Sequence, residues 1–244
     1  MILLPVFTSY NLILILAAVI PAIYLMVKVY KNDRVEPEST GLLFSLVMAG
    51  VFSSFLALVE EMVLERILGM FLNERQLLYQ IILYYVVVAV SEESSKYIFM
   101  KRKTWNNPEF DCKFDGIVYA AFTSLGFALW ENISYVFSYG LQVAFIRALT
   151  AVPGHACFGI FMGVFYSIAK QYDYKHKKTA SSFFRKLAVF VPVLLHGTYD
   201  FLTAIDTEYS GLEWIAFVVI LFLLSNHLIN KMSKDDGYMT WHII

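Results

Sequence analysis

The sequence has 244 residues, of which 59% are hydrophobic and only 16% are charged, and its formal net charge is −1. Soluble proteins average roughly 45–50% apolar and about 25% charged residues, so this composition predicts a polytopic membrane protein. A chain without excess positive charge offers no basic surface of the kind that binds nucleic acids, and we therefore set a nucleic-acid partner aside.

Seven apolar runs are long enough to cross about 30 Å of hydrocarbon as helices. They cover residues 7–28, 40–59, 77–100, 115–138, 143–169, 184–204 and 211–230. The first run lacks a positively charged start and has the length of a full span, so we expect it to remain as a helix. The sequence thus predicts an all-α membrane bundle of about seven transmembrane helices in one domain, 1–244, with its motif-bearing core at about 77–204.

The segment 60–76 has apolar residues at helical spacing between charged ones. This pattern is typical of an amphipathic helix that lies on the membrane surface. We expect its carboxylates, Glu60, Glu61 and Glu65, to lie on a solvated face.

Lysines and arginines concentrate in every second loop, whereas the remaining loops hold only Arg66 and Arg75. Basic loops stay on the cytoplasmic side of a membrane. The pattern therefore predicts a multi-pass protein whose N-terminus is outside and whose C-terminus is cytoplasmic.

Ionisable side chains occur within four of the spans, where a charge at the bilayer centre costs about 2.5–3.5 kcal/mol on insertion scales. They are Glu92, Glu93 and Lys96 on the third span, Glu131 on the fourth, His155 on the fifth, and His196 and Asp200 on the sixth. Spacing of four residues places Glu92 beside Lys96 and His196 beside Asp200. Because such groups must face one another or water, we predict a single polar cavity enclosed by the third to sixth helices.

Other residues of these spans are expected to join the helices. His155, Gly159 and Gly163 share one helix face, and glycines in such a row let two membrane helices approach closely. Asn132, next to Glu131, is expected to hydrogen-bond across helices.

Three further residues are expected to lie outside the site. Arg147 is interpreted as a residue of the outer interface that extends its charge toward water. Cys112 and Cys157 lack a C-x-x-C spacing and are interpreted as packing residues.

Carboxylates and imidazoles in one cavity supply the groups that peptide hydrolysis needs: a base, a proton donor and a partner for the oxyanion. In one mechanism, Glu92 or Glu93 deprotonates water directly and His155 or His196 stabilises the oxyanion. In the other, His155, His196 and Glu131 bind a divalent metal such as zinc. The alternatives to a protease are a proton-coupled transporter, which typically shows inverted repeats, and a membrane receptor without enzymatic activity.

Four segments resemble the successive motifs of the PrsW family of bacterial intramembrane proteases. They are SEESSK, FDGIVYAAFTSLGFALWENISYV, HACFGIFMG and HGTYDF, in the family's order between about residues 90 and 201. The family is similar in its active-site motifs to the CAAX prenyl protease superfamily, whose second motif has His where this chain has Glu131.

This resemblance implies a site-1 protease of the bacterial cell membrane, which cuts a single-span anti-sigma factor on its extracytoplasmic side and so releases an extracytoplasmic-function sigma factor. By the motifs, Lys96 and Asn132 would support a catalytic region made of Glu92, Glu93, Glu131, His155, His196 and Asp200. The sequence leaves open which of Glu92 and Glu93 is the base and whether a metal takes part.

Overall fold

The computed structural model of the protein describes residues 9–205 and 207–239, which form helices and no named strand. The helices are α1 Ser9–Tyr30, α2 Thr40–Phe71, α3 Leu77–Thr104, α4 Asp115–Tyr139, α5 Leu141–Leu149, α6 Ala151–Tyr174, α7 Lys178–Ala204 and α8 Ser210–Lys234. Six spans among these residues, with α5 and α6 taken as one, are long and apolar enough to cross a membrane. The predicted all-α membrane bundle is confirmed.

Helix α4 lies at the centre of the bundle. It packs most extensively against α6 and also contacts α2 and α1. Every residue from 115 to 128 is buried. The surrounding helices thereby shield the small and polar side chains of α4, which is the one predicted span that length and hydropathy alone do not mark as membrane-crossing.

The crossing of α4 and α6 requires glycine. A Cβ atom on Gly163 would lie 2.5 Å from the carbonyl oxygen of Gly116, and one on Gly159 would lie 2.9 Å from that of Ala120. Real side chains cannot occupy such positions without moving the helices apart. The close approach predicted from the glycine spacing is confirmed, and it holds His155, one turn before Gly159, against α4.

Helix α2 continues through the predicted membrane boundary at residue 59 and ends at Phe71. Residues 60–71 are therefore helical as expected, but they continue α2, and 72–76 are not helical; the position of this segment on the membrane surface stays a prediction. No proline or glycine interrupts the segment before Gly69, so nothing stops the helix at residue 60. Glu61 consequently lies half-buried beside the site cavity instead of on a solvated face, whereas Glu65 is exposed as expected.

The predicted span 143–169 consists of two helices separated at Thr150. Pro153 is the local cause, because it has no N–H to donate to the carbonyl of Leu149 and is tolerated only in the first turn of a helix. Helix α4 ends at Tyr139 and is followed by Gly140, whose φ of 84° lies in the left-handed region that glycine favours. The short α5 therefore folds back between two breaks.

Two helices that carry the predicted site are longer than expected. Helix α7 begins at Lys178, six residues before the predicted start. Its N-terminus therefore lies about 9 Å beyond the predicted position, whereas its C-terminus is at Ala204 as predicted. Helix α3 extends to Thr104 and contains a π-helical stretch, Leu83–Val88, just before Glu92. Such stretches widen one turn of a helix and often occur at functional sites.

The loops rich in lysine and arginine meet at one end of the bundle, which we call the basic end. The hydroxyl of Ser233 donates to the carbonyl of Asn32 at 2.5 Å, and the ammonium of Lys170 donates to the carbonyl of Trp105 at 2.6 Å. Lys113 reaches the carbonyl of Asp235 at 3.3 Å. The predicted grouping of these loops agrees with the structure, and the compartment that the basic end faces stays a prediction.

Candidate active site

One polar cavity of about 690 Å³ is lined by α3, α4, α6 and α7 and also by residues of α2, α5 and α8. The acidic, arginine and histidine residues that line it are Glu61, Glu92, Glu131, Arg147, His155, His196 and Asp200. Its wall also includes Thr150, Thr203 and Ser210, which lie in or next to the breaks at the end of the bundle opposite the basic end. The predicted polar cavity is present, and it lies near that opposite end.

The ammonium of Lys96 lies at the centre of the charged groups. Its Nζ atom is 3.0 Å from Glu92 Oε2, 2.7 Å from Glu93 Oε1 and 3.2 Å from His155 Nδ1. The same atom lies 4.0 Å above the ring centre of Phe127. These three polar contacts match the three protons of an ammonium group, so this fully buried lysine is fully paired.

The two adjacent glutamates lie in different surroundings. Glu92 lines the cavity, whereas Glu93 is 0% exposed and lies beneath it. Glu93 Oε1 contacts both Lys96 and, at 2.9 Å, His196 Nδ1, while its Oε2 has no hydrogen-bond partner. Glu92 can therefore meet water in the cavity, and Glu93 can fix the positions of its neighbours.

The two histidines are held by different partners. Lys96 can only donate to His155 Nδ1, and Glu131 Oε2 accepts from His155 Nε2 at 2.8 Å, so His155 fits the neutral tautomer protonated at Nε2. His196 is flanked by carboxylates, with its Nε2 atom 3.2 Å from Asp200 Oδ2. The predicted pairing of His196 with Asp200 on one helix face is confirmed.

The two imidazoles share one aromatic environment. Their ring centres lie 5.4 Å apart, and Phe158 stacks on His196 with ring centres 4.8 Å apart. This packing leaves the rings little freedom to rotate. The structure thus brings all six predicted catalytic residues, together with Lys96, into one group of contacts.

Arg147 belongs to this group, and the expectation that it lies outside the site is wrong. Its Nη2 atom lies 2.8 Å from Glu131 Oε2, an ion pair without hydrogen-bond geometry, and its Nε donates to Asn132 Oδ1 at 3.0 Å. The guanidinium carbon lies 4.0 Å above the ring centre of Tyr135. The cause is the break at Thr150, which turns α5 back over the cavity; Pro153 in the sequence was the available signal.

Two other supporting predictions agree with the structure. The amide of Asn132 donates to the carbonyl of Ala18 at 2.9 Å, which joins α4 to α1. Cys112 and Cys157 are both buried and unpaired with each other, as expected for packing residues.

A metal ion would find suitable ligands beside Lys96. One ligand atom from each of Glu92, Glu93 and His155 lies within 4.8 Å of the others, and two carboxylates with an imidazole suit zinc. The Lys96 ammonium contacts all three, so it would have to move for a metal to take these ligands. The set predicted from the sequence is His155, His196 and Glu131, and it shares only His155 with this group. The predicted set stays a prediction.

Comparison with known proteins gives the same family as the motifs. A family model described as "PrsW family intramembrane metalloprotease" matches residues 38–225. The chain belongs to the PrsW family. All the site residues fall within the matched range, and the structure therefore describes a membrane-embedded peptidase of the PrsW type.

Curated relatives named "Protease PrsW" cover most of the chain. The protein of Clostridioides difficile strain 630 is 32% identical over 225 residues, which is 91% of this chain and 90% of that protein. The protein of Bacillus subtilis strain 168 is 31% identical over 207 residues, which is 84% of this chain and 87% of its own. No solved structure matches significantly. The bacterial relatives and the apolar helices together support a multi-pass membrane protein of bacteria.

Proposed function

We propose that this PrsW family protein is a site-1 protease, which cuts a single-span anti-sigma factor on the extracytoplasmic side of the bacterial cell membrane and so releases an extracytoplasmic-function sigma factor. One observation carries the proposal: Glu92, His155 and His196 line a shared cavity near the end of the bundle opposite the basic end. If the basic end is cytoplasmic, as the positive-inside rule predicts, that cavity lies toward the outer face.

Glu92 is the proposed general base. Its carboxylate takes a proton from a water molecule in the cavity while the water oxygen attacks the carbonyl carbon of the substrate. When the C–N bond breaks, the proton held by Glu92 passes to the leaving amine nitrogen. Glu92 is assigned this role because it lines the cavity, whereas Glu93 does not.

His196 is the proposed partner of the developing oxyanion. Its Nε2 atom lies beside Asp200 at the cavity wall. At this position the N–H of Nε2 can donate to a substrate oxygen. Glu93, from beneath, holds the opposite nitrogen of the ring at 2.9 Å. Glu93 and Asp200 are thus positioning residues for His196.

His155 is positioned from two sides. Glu131, itself paired with Arg147, fixes the Nε2 side, and Lys96 fixes the Nδ1 side. A divalent metal held by Glu92, Glu93 and His155 would supply a Lewis acid for water activation. Chelation of the purified enzyme, followed by zinc add-back, distinguishes the two mechanisms, because only the metal mechanism makes activity depend on zinc.

The test is cleavage of a single-span anti-sigma factor by the purified full chain in proteoliposomes, with the cut located by fragment mass. We expect a cut near the outer membrane boundary. Glu92→Gln should lower the rate at least about 100-fold with the fold retained. The matched control is Glu65→Gln, because Glu65 is an exposed carboxylate that lines no part of the cavity.

Three outcomes would contradict parts of the proposal. Wild-type protein that cuts no single-span anti-sigma factor would overturn the substrate assignment. Wild-type rates in Glu92→Gln would overturn the base assignment, and undiminished cleavage in Glu93→Gln and His196→Ala as well would remove the protease mechanism as a whole.

A further inference from the structure

A second group of acidic side chains is buried at the basic end, far from the cavity. Asp33 lies in the loop between α1 and α2, Glu38 lies just before α2, and Asp115 is the first residue of α4. Their exposed fractions are 8%, 5% and 1%, and one carboxylate oxygen of each lies within 4.8 Å of the others. We call these three residues the acidic triad.

Most oxygens of the acidic triad have no partner. Both carboxylate oxygens of Asp33, Oε1 of Glu38 and Oδ1 of Asp115 are buried without a hydrogen bond. Asp115 Oδ2 accepts from the backbone N–H groups of Asp111 and Cys112, at 3.0 and 2.7 Å. Asp115 is thus held in place by one oxygen while the other remains unused.

No cationic side chain within residues 9–205 and 207–239 forms an ion pair with the acidic triad. Neighbouring carboxylates instead add like charge around the triad. Burial raises the pKa of Asp33 to about 7, with the charges of Asp236 and Glu36 adding to the effect. Burial likewise raises the pKa of Glu38 to about 8, and the charge of Glu109 adds to the effect.

We propose that Asp33, Glu38 and Asp115 form a binding site for a hard divalent cation, Mg²⁺ or Ca²⁺. Carboxylate oxygens alone, without thiol or imidazole, are the donors that these two ions prefer. Buried carboxylates without a partner are costly, and a bound cation removes that cost. The unpartnered, nine-tenths buried oxygens are what distinguish this triad from an ordinary acidic surface.

A cation in the acidic triad would join separate parts of the chain. It would bind the α1–α2 loop to the start of α4, next to the point where Asp236 accepts from the backbone N–H of Phe114 at 2.9 Å. Asp115 is sixteen residues from Glu131 on α4, or about 24 Å along the helix. The ion therefore stabilises the basic end and does not take part in hydrolysis, so the proposal is independent of the proposed function.

The experiment uses the full chain in detergent, stripped with a chelator and then dialysed against Mg²⁺ or Ca²⁺ in separate arms. Thermal unfolding and the amount of bound ion per chain are measured for the wild type and for Asp33→Asn/Asp115→Asn. At an ion concentration about a hundred times Kd, we expect the wild-type Tm to rise by about 5–10 °C. The double variant should bind about one ion fewer per chain and show no such rise.

Stability without the ion gives a second measurement. In the chelator, the double variant should be at least as stable as the wild type, because it removes like charges that repel one another. Asp235→Asn, which changes an exposed carboxylate at the same end, should respond to the ion as the wild type does. The larger Tm rise of the two arms identifies the preferred ion.

Two results would overturn the proposal. One is a wild type that neither binds Mg²⁺ or Ca²⁺ nor changes its Tm with either. The other is an equal response of the wild type and the double variant, which would mean that the triad shares protons and that any ion binds elsewhere.

Discussion

Two groups of buried carboxylates in this protein differ in how their charge is neutralised. Around the cavity, the buried Glu92 and Glu93 share the ammonium of Lys96, and the half-buried Glu131 pairs with Arg147. At the basic end, Asp33 and Asp115 have no cationic side chain beside them within the described residues. The cavity group is complete within the chain, whereas the acidic triad needs a proton or an ion from solution.

This difference separates two uses of buried acids. A carboxylate with an internal cation keeps a fixed position and charge, which suits groups that must act on water in a set geometry. Carboxylates without a cation are ready to bind one. We therefore assign chemistry to the paired group and ion binding to the unpaired one.

The largest expected effect comes from removing the internal cation. Lys96→Met leaves Glu92 and Glu93 side by side without a counter-charge, and we expect the free energy of unfolding to fall by about 3–5 kcal/mol. Thermal unfolding in detergent measures this loss. Arg102→Met, at an exposed position of the same helix, should leave the Tm nearly unchanged.

Lys96→Met also tests whether the missing cation is what distinguishes the two groups. Without its ammonium, the cavity group resembles the acidic triad, so added Zn²⁺ should recover part of the lost stability through Glu92, Glu93 and His155. A variant as stable as the wild type in the absence of metal would show that Lys96 does not neutralise the pair.

A smaller effect separates the two glutamates. Glu93→Gln weakens contacts to both Lys96 and His196, and we expect it to lower the free energy of unfolding by about 1.5–3 kcal/mol. Glu92→Gln changes one close contact at the cavity wall and should cost less than half as much. Equal Tm values for the two variants would contradict the different roles assigned to them.

The smallest effect concerns the partly exposed pair of Glu131 and Arg147. Their side chains are 23% and 12% exposed, so Arg147→Gln should lower the free energy of unfolding by only about 0.5–1 kcal/mol. The cleavage rate should fall about tenfold, because His155 depends on Glu131 for its position. Arg66→Gln, at an exposed position on α2, should leave the rate unchanged.

The sequence predicted the helical class and the convergence of the ionisable residues for a simple physical reason. Charged groups in apolar spans must find one another, so Glu92, His155 and His196 could be placed in one cavity without knowledge of the packing. The close glycine contact of α6 and the pairing of His196 with Asp200 follow from helical spacing alone.

The errors concern places where helices stop. The apolar periodicity of α2 does not show whether the helix bends at residue 60 or continues, and only its packing decides that it continues. The sequence pattern places Arg147 at the outer interface because apolar periodicity does not show the break at Thr150, although Pro153 marks it. The acidic triad could not be found from the sequence, since Asp33, Glu38 and Asp115 lie in ordinary polar positions until the fold buries them together.

Water access to Glu92 tests the central claim, a wet cavity inside the bundle, most directly. Reaction of a water-soluble thiol reagent should be measured for Glu92→Cys and for Val86→Cys, which faces outward on the same helix with 55% exposure. The native Cys112 and Cys157 are buried and should contribute little background. We predict rapid labelling of Glu92→Cys and none of Val86→Cys, although Val86 lies nearer the end of the helix; protection of both would contradict the account.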